Sequence, residues 1–376
     1  MLDKKYEMIR KLAREFAEKE LEPRAAEMDE TGIIPEDLFQ KVAKYQFIGI
    51  NIPKKYGGAG GDFLSASIVA EEFSRKFGAS VALLMPNSLS GAPYMVYGNE
   101  EQKQKYLIPL AKGEKFGAFA LTEPGAGSDA ASITTTARDC GNYYLLNGRK
   151  TFITMGPLCD YAVVFAKTDP TKGSRGISAL IVESQWQGFS KGKPEEKLGV
   201  HASPTCDLIF EDVRVPKENL LGKEGSGFKI AMSILDEGRA AVAAQALGIA
   251  QGALDEAVKY AKERVQFGKP ISKLQGIQFK LADMATKVEA SRLLVYEAAQ
   301  RLDRGEDVGN IAAMAKYYAS ETANQVAYDA MQIHGGYGYM KDYPIERIYR
   351  DARITSIYEG TSEIQKVVIA GNLLKK

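Results

Sequence analysis

The sequence pattern changes twice along the chain, from helical to strand-forming and back to helical, and this order constrains the fold most. Four long stretches rich in Ala and Leu have the composition of a helix bundle, at residues 228–265, 275–304, 310–333 and 364–374. Residues 133–215 instead contain short β-branched and aromatic runs, with no helical pattern between them that could form βαβ units. This pattern predicts an α+β chain with separate helical and β domains.

We place domain boundaries where the pattern changes: an N-terminal helical domain at residues 1–115, a middle antiparallel β domain at 116–225 and a C-terminal helical bundle at 226–376. In the first domain, helices are predicted near residues 6–16, 35–45, 63–77 and 99–111. In the second, strands are predicted at 133–136, 143–146, 150–154, 161–167, 177–183 and 207–215. Asn147-Gly148 has the signature of a two-residue hairpin turn between two of them.

Composition excludes several classes of protein. The 376 residues are 45% apolar, and 49 Lys and Arg balance 48 Asp and Glu, so the chain is neither disordered nor a broad polyanion binder. No apolar stretch reaches the ~20 residues of a membrane span, and the N-terminus lacks the apolar core of a secretory signal. Cys140, Cys159 and Cys206 have no metal-binding or disulfide spacing. We therefore expect a soluble, cytoplasmic protein that binds no nucleic acid and does not insert into membranes.

Histidine is scarce, since His201 and His334 are the only two in the chain. A His-rich metal site is thereby excluded, and without a GxSxG motif a Ser-His-Asp triad has no nucleophile. We expect no metal, and we expect His334 to be packed or hydrogen-bonded. Proton transfer in an enzyme of this composition is expected to depend on a carboxylate.

Two glycine-rich motifs give weak signals. Residues 125–130 fit the GxGxxA pattern of dinucleotide-binding folds, but the next residues favour a strand where that fold requires a helix. A loop that contacts a flavin or a substrate is the better interpretation. Residues 222–228 fail as a P-loop because Phe228 stands where Lys is required, and they fit a linker that leads into a helix.

Two polar patterns allow both a structural and a functional interpretation. Asp236 and Arg239 share one face of a predicted helix, either as a solvated ion pair or as a recognition pair for a phosphorylated ligand. Glu359 precedes Gly360 on a tight turn just before the last predicted helix. Its carboxylate either stabilises the start of that helix or, partly desolvated, acts as a base.

Seven segments form a recognisable set: residues 120–129 (ALTEPGAGSD), 152–154 (FIT), 235–239 (LDEGR), 264–268 (RVQFG), 332–338 (QIHGGYG), 350–353 (RDAR) and 357–361 (IYEGT). In order and spacing, over essentially the whole chain, they resemble the acyl-CoA dehydrogenase family and most closely its short-chain, butyryl-CoA dehydrogenase branch. The resemblance implies an N-terminal α-helical domain, a middle β-barrel domain and a C-terminal four-helix bundle. It also implies FAD as cofactor and a homotetramer arranged as a dimer of dimers.

The same resemblance implies roles for individual residues, with Glu359 as the catalytic base. Positions at the flavin ring and its neighbouring loop are matched by Phe119, Leu121, Thr122, Gly127, Ser128, Phe152, Ile153 and Thr154. Positions around the FAD adenosine and diphosphate, partly contributed by a neighbouring subunit, are matched by Arg264, Phe267, Gln275, Gln332, Gly335, Gly336, Thr361 and Glu363. Substrate positions are matched by Ser128 near the CoA thioester arm, by the CoA-contacting pair Asp236 and Arg239, by Tyr358 and Gly360, and by Asn87 and Ser90 in the segment around the acyl group.

The implied activity is FAD-dependent α,β-dehydrogenation of a short- to medium-chain acyl-CoA, with electrons passed to an electron-transfer flavoprotein. Glu359 would take the α-proton while the β-hydride leaves to the flavin. Residues 85–93, which match the segment around the acyl group, contain no Arg or Lys, so an ω-carboxylate is disfavoured and linear, branched or cyclic groups stay open. The alternatives are an enoyl-CoA reductase working with an electron-bifurcating flavoprotein, an acyl-CoA oxidase and a non-enzymatic acyl-CoA-binding protein.

Overall fold

A computed structural model describes residues 3–375 of the protein. The N-terminal domain is helical, with α1 (Lys4–Phe16), α2 (Ala25–Thr31), α3 (Glu36–Lys44), α4 (Phe63–Lys76), α5 (Ala92–Tyr97), α6 (Glu100–Gln102) and α7 (Ile108–Ala111). Phe16 of α1 stacks on Phe73 of α4, with ring centroids 5.2 Å apart. Ala13 and Phe16 at the end of α1 are therefore buried, whereas Leu12 stays exposed.

The middle domain contains β1 (Gly117–Ala120), β2 (Thr136–Asp139), β3 (Tyr143–Thr154), β4 (Tyr161–Lys167), β5 (Ile177–Glu183), β6 (Phe189–Lys191), β7 (Thr205–Pro216) and β8 (Leu220–Leu221). They form one sheet in the order β6-β7-β3-β2-β4-β5-β8, with β1 also paired to β4. Both β1 and β2 pair with β4 in parallel, which corrects the prediction of a purely antiparallel domain. The reason is that β1 and β2 lie end to end along β4, because the loop at residues 121–135 interrupts what is otherwise one strand.

The prediction of a hairpin turn at Asn147-Gly148 is wrong. The strand predicted at 133–136 begins only at Thr136, the last of these residues. β3 runs through both residues, and its pairing with β7 shifts register there, so the pair forms a β-bulge. A Cβ atom on Gly148 would overlap Oγ1 of Thr135, so glycine lets the 121–135 loop approach closely. Asn147 exchanges two hydrogen bonds with Asp212 across the sheet. The Asn147-Gly148 dipeptide is thus explained by the close approach of the 121–135 loop and not by a turn.

The C-terminal domain contains α8 (Gly227–Glu263), a short hairpin of β9 (Val265–Gln266) and β10 (Lys269–Pro270), α9 (Gln275–Asp303), α10 (Gly309–His334), α11 (Ile345–Ile354) and α12 (Ser362–Leu373). Four of these helices match the predicted stretches, whereas α11 was not predicted. α8 packs against α9 and α10 and also against α4, so it connects the two helical domains. Within residues 3–375, none of the helices has the length and apolarity needed to cross a membrane.

Two buried carboxylates on α4 each bind an arginine of a neighbouring helix, one within the N-terminal domain and one in the C-terminal domain. Glu72 accepts hydrogen bonds from Arg14 of α1 at 2.8 and 2.9 Å, and Glu71 accepts one from Arg292 of α9 at 3.0 Å. Both carboxylates are almost fully buried, where an unpaired charge would be costly. The arginines therefore fix how α1 and α9 lie against α4.

Candidate active site

The turn between α11 and α12 holds Glu359 in a strained backbone conformation. Glu359 and Gly360 have left-handed φ values of 55° and 89°, and this conformation costs a residue with a Cβ about 1–2 kcal/mol. The side-chain amide of Gln365 donates to the carbonyls of both residues, at 3.2 and 2.8 Å. The ammonium of Lys316 donates to the Gly360 carbonyl at 2.7 Å. Thr361 supplies the side-chain cap of α12, so the carboxylate of Glu359 is not needed for capping.

The carboxylate of Glu359 lies against α8, where Gly238 leaves space for it. A Cβ atom at position 238 would overlap Oε2 of Glu359. This Oε2 is buried and accepts no hydrogen bond from residues 3–375. Burial raises the pKa of Glu359 to about 7, while the charges of Lys316 and Arg239 act to lower it. Glu359 is therefore a half-buried carboxylate that is partly ionised near neutral pH and suited to exchange a proton.

Asp236 and Arg239 form an ion pair on the same stretch of α8. Arg239 is only 7% exposed, and its Nε–H has no hydrogen-bond partner in the described chain, which rules out a solvated surface pair. Burial raises the pKa of Asp236, against the charge of Arg239. Glu237 is half-buried, and burial raises its pKa to about 7. A buried guanidinium with an unused donor suits a polar group of a ligand.

Tyr358 anchors the turn to α8. Its hydroxyl donates to Oε1 of Gln245, and the Nε2 of Gln245 donates to the Gly78 carbonyl at 2.9 Å. Burial raises the pKa of the Tyr358 hydroxyl far above its usual value. Because the hydroxyl is neutral and already engaged, a contact of Tyr358 with substrate would have to come from its ring or backbone.

A buried ion pair, which the sequence analysis missed, anchors the loop at residues 121–135. The Nζ of the fully buried Lys150 donates to Oε1 of Glu123 at 2.8 Å and to the Leu121 carbonyl at 3.0 Å. Glu123 also accepts the backbone N–H groups of Thr134 and Thr135 at 2.6 and 2.9 Å. Burial alone would raise the pKa of Glu123, but the Lys150 charge and these hydrogen bonds lower it to about 2. The ion pair thus fixes both ends of the loop that carries the glycine motif.

The predicted flavin-ring positions lie on this loop and on adjoining strands. Phe152 has a left-handed φ of 57° and is 66% exposed. Ile153 instead packs into the core of the sheet, so only its backbone can reach a cofactor. Phe119 and Leu121 belong to the apolar cluster beneath the loop. The remaining positions are half-buried or exposed: Thr122, Gly127, Ser128 and Thr154.

A cavity of about 470 Å³ lies where α10 ends, and Arg264, Gly335 and Gly336 line it together with His334 and Tyr260. His334 stacks on Tyr260 with ring centroids 4.3 Å apart, and its Nδ1 hydrogen-bonds a carbonyl one turn earlier. Burial lowers the pKa of His334. His334 is therefore a packed, hydrogen-bonded residue, as predicted.

Arg264, Gly335 and Gly336 were predicted around the FAD adenosine and diphosphate. Five other residues predicted there do not line this cavity in the single chain. Phe267 is 90% exposed at the tip of the β9–β10 hairpin, Gln275 opens α9, and Gln332 is exposed on α10. Thr361 and Glu363 instead lie at the start of α12, beside the Glu359 turn. One chain thus brings together only part of the predicted set.

The two residues predicted at the acyl group differ in whether their polar side-chain atoms are already hydrogen-bonded. The side chain of Asn87 accepts the N–H of Ile50 at 3.1 Å and donates to the Phe47 carbonyl at 2.7 Å, so the backbone occupies its amide. The hydroxyl of Ser90 is buried without a partner among the described residues, and Ser90 lines a small enclosed cavity with Phe116. In the described part of the chain, no three His, Cys, Asp or Glu side chains are grouped to hold a metal ion.

Comparison with known proteins agrees with this arrangement. The acyl-CoA dehydrogenase N-terminal, middle and C-terminal domain families match residues 3–114, 118–213 and 225–374. The 3-(aryl)acrylate reductase of Clostridium sporogenes is 57% identical over 371 residues, 98% of each chain. The caffeyl-CoA reductase-Etf complex subunit CarC of Acetobacterium woodii is 58% identical over 371 residues, 98% of each chain.

Among solved structures, butyryl-CoA dehydrogenase from Megasphaera elsdenii superposes with a TM-score of 0.97 at 48% identity, covering 100% of this chain and 99% of that one. The resemblance and the three-domain fold expected from the sequence are thereby confirmed. The protein belongs to the acyl-CoA dehydrogenase family of flavin-dependent oxidoreductases.

Proposed function

We propose that the protein interconverts an acyl-CoA and its 2-enoyl-CoA, with Glu359 as the group that takes or returns the α-proton. The observation that carries this proposal is the Glu359 carboxylate itself, whose Oε2 is buried, unpartnered among residues 3–375 and given its space by Gly238. An α-proton of a thioester is only weakly acidic, so its removal requires a base held at a fixed position.

The α8 residues next to this carboxylate suit the CoA thioester. Arg239 presents an unused buried donor, and its position is fixed by the ion pair with Asp236. We assign this pair, together with Ser128 on the 121–135 loop, to the pantetheine and thioester part of the substrate. The arginine charge also favours the ionised form of Glu359, which is the form that accepts a proton.

The residues present fit FAD, on which the family depends. Cβ atoms on Gly127, Gly335 and Gly336 would meet no atom within 4 Å, so the backbone at both places is open to a ligand. Arg264 borders the larger cavity, where its guanidinium suits a diphosphate. When bound, FAD supplies the two-electron exchange at the β-carbon of the substrate. Residues remote from that cavity, such as Phe267, would contact FAD of a neighbouring subunit in a homotetramer.

We propose a short- to medium-chain acyl group without an ω-carboxylate. The segment at residues 85–93 has no Arg or Lys, and the ammonium of Lys115, which borders the small cavity at Ser90, is paired with Asp160 at 2.7 Å. A carboxylate at the far end of the acyl group would therefore lack an available cation. The Ser90 hydroxyl is the polar group that we assign to this end of the substrate.

Enoyl-CoA reduction is a second candidate, favoured by the names of the relatives at 57% and 58% identity. In that direction Glu359 would deliver the α-proton, which a carboxyl group with a pKa of about 7 can also do. We propose an electron-transfer flavoprotein as redox partner, since one relative is a subunit of a reductase-Etf complex. Rates of acyl-CoA oxidation and enoyl-CoA reduction, measured with the same electron-transfer flavoprotein, would identify the favoured direction.

Anaerobic mixing of the purified protein with CoA thioesters tests the proposal. We expect a yellow protein whose visible flavin absorbance falls on addition of a saturated acyl-CoA and returns when the matching 2-enoyl-CoA is added in excess. Linear, branched, cyclic and 3-aryl thioesters should be compared. A colourless protein, or a bound flavin that no thioester reduces, would contradict the proposal. Peroxide formation under air would instead indicate an oxidase.

Replacing Gly238 with Ala is expected to slow flavin reduction by about 100-fold, because the new methyl group would displace the Glu359 carboxylate. Rapid-mixing measurements at saturating acyl-CoA, with flavin content determined in parallel, give the rate. Gly371→Ala in α12 is the matched control, since a Cβ there would meet no atom within 4 Å. A wild-type rate in the Gly238→Ala protein would show that this contact does not place the carboxylate.

A further inference from the structure

Lys316 is a buried cation to which the proposed chemistry assigns no role. It lies on α10 with no exposed surface, and its ammonium donates to the Gly360 carbonyl at 2.7 Å. Burying an ammonium group is costly unless charge and hydrogen bonds compensate it. The carbonyl that it contacts belongs to the residue directly after Glu359, so the charge is placed at the turn that carries the proposed base.

We infer that Lys316 is a positioning residue that holds the Glu359-Gly360 turn and supplies a positive charge that favours the ionised, proton-accepting form of Glu359. The inference rests on the proposed role of Glu359 as the base. Lys316 then has two separable effects. Its hydrogen bond fixes the geometry of the turn, and its charge sets the proton affinity of Glu359.

The geometric effect follows from the strain in the turn. Glu359 is a non-glycine residue with a left-handed φ of 55°, and such a conformation persists only where the surroundings impose it. Donors from two helices meet at the Gly360 carbonyl, Lys316 from α10 and Gln365 from α12. Gln365 is neutral, so it shares the geometric effect of Lys316 but not its charge.

The electrostatic effect follows from the charges that surround Glu359. Lys316 and Arg239 are the two cations whose charges act to lower its pKa, which burial raises to about 7. Burial lowers the pKa of Lys316 to about 8, against the charge of Glu359. The charges of Glu321 on α10 and Glu363 on α12 also act on Lys316, and those of Glu359 and Asp351 on α11 act on Tyr358 in the turn. Asp236 and Glu237 on α8 are the acidic residues nearest Arg239 in sequence.

These charges determine the direction in which the pKa of Glu359 changes when Lys316 is replaced. Removing the Lys316 charge leaves the ionised carboxylate less stabilised, so the pKa of Glu359 rises further. A base must be deprotonated to accept a proton, so the rate of α-proton removal then needs a higher pH. We expect the midpoint of the pH profile to move upward by about one pH unit, a typical effect of one nearby opposite charge.

The test compares Lys316→Met and Lys316→Gln with Gln365→Met in the flavin-loaded protein. The readouts are the second-order rate of flavin reduction by an acyl-CoA across pH, which reports the free enzyme, and the pH dependence of α-hydrogen exchange of the same acyl-CoA in deuterated buffer. Both Lys316 variants should shift the midpoint upward, because the apolar Met and the polar Gln each remove the charge. Gln365→Met should lower the rate with the midpoint unchanged.

An unchanged midpoint in both Lys316 variants, or an equal shift in Gln365→Met, would overturn the inference. Loss of flavin in both Lys316 variants would also overturn it, because the lysine would then be needed for the fold. Glu359→Gln, measured alongside, separates failure of this inference from failure of the proposed function. An active Glu359→Gln protein would refute the role of Glu359 as the base.

Discussion

Replacing Glu359 with Gln is expected to slow flavin reduction by acyl-CoA by about 10² to 10⁴-fold, the usual loss when a positioned general base is removed. Gln has nearly the same shape as Glu, so the turn and the bound FAD should be retained. The half-buried carboxylate faces Gly238, and no group in the described chain hydrogen-bonds its buried Oε2. Rapid mixing under anaerobic conditions, with the flavin spectrum recorded before mixing, measures the effect.

The matched control for this substitution is Glu196→Gln, because the side chain of Glu196 is 89% exposed. It should leave the rate unchanged. If Glu359→Gln reduced its flavin as fast as the wild type, another group would have to take the α-proton. Glu237, which burial also gives a pKa of about 7, would be the next residue to substitute.

Replacing Lys150 with Met is expected to cost about 3–5 kcal/mol of stability, because Glu123 would remain buried without its cation. The same substitution should weaken flavin retention, since this ion pair anchors the loop at residues 121–135. Urea-induced unfolding and the flavin content after gel filtration measure the two effects. Lys193→Met, which removes an exposed ion pair with Glu196, is the control and should change little.

The ion pair also predicts a pH dependence of stability. The pKa of Glu123 falls from a usual 4.5 to about 2 in the folded protein. A carboxylate with a lowered pKa contributes stability above its unfolded pKa and loses that contribution as the pH falls towards its folded pKa. Wild-type protein should therefore lose this contribution between about pH 4.5 and 2, and Lys150→Met should lose less there. If Lys150→Met and the wild-type protein unfolded at the same urea concentration at pH 7, the stabilising role of the Lys150–Glu123 ion pair would be contradicted.

Much of the fold could be predicted because its helices carry strong local patterns. The helix predicted at residues 275–304 is observed at Gln275–Asp303, and the tight turn with Glu359 lies just before the last helix, as predicted. α11 was missed because its ten residues, IERIYRDARI, are so highly charged that they resemble a polar connection. Ile345, Ile348 and Ala352 nevertheless recur at helical spacing, and Ile345 and Ala352 are buried against the bundle.

The remaining features depend on contacts between distant parts of the chain, which local patterns do not contain. Asn147-Gly148 has the composition of a turn, yet the approach of Thr135 makes it a bulge. Gly238 and Lys316 look ordinary within their helices, and only folding places both at Glu359. The motif resemblance pointed to Glu359 as the proposed base, whereas the groups that surround its carboxylate could be found only from the structure.

The most direct test of the central claim is exchange of the α-hydrogens of a saturated acyl-CoA with deuterated solvent, followed by NMR. This measurement detects proton removal at the α-carbon without depending on the electron acceptor or on the favoured direction. We expect the wild-type protein to incorporate deuterium at the α-carbon, with a rate that rises with pH through about 7. We expect Glu359→Gln to incorporate almost none, and exchange by that variant at the wild-type rate would contradict the account.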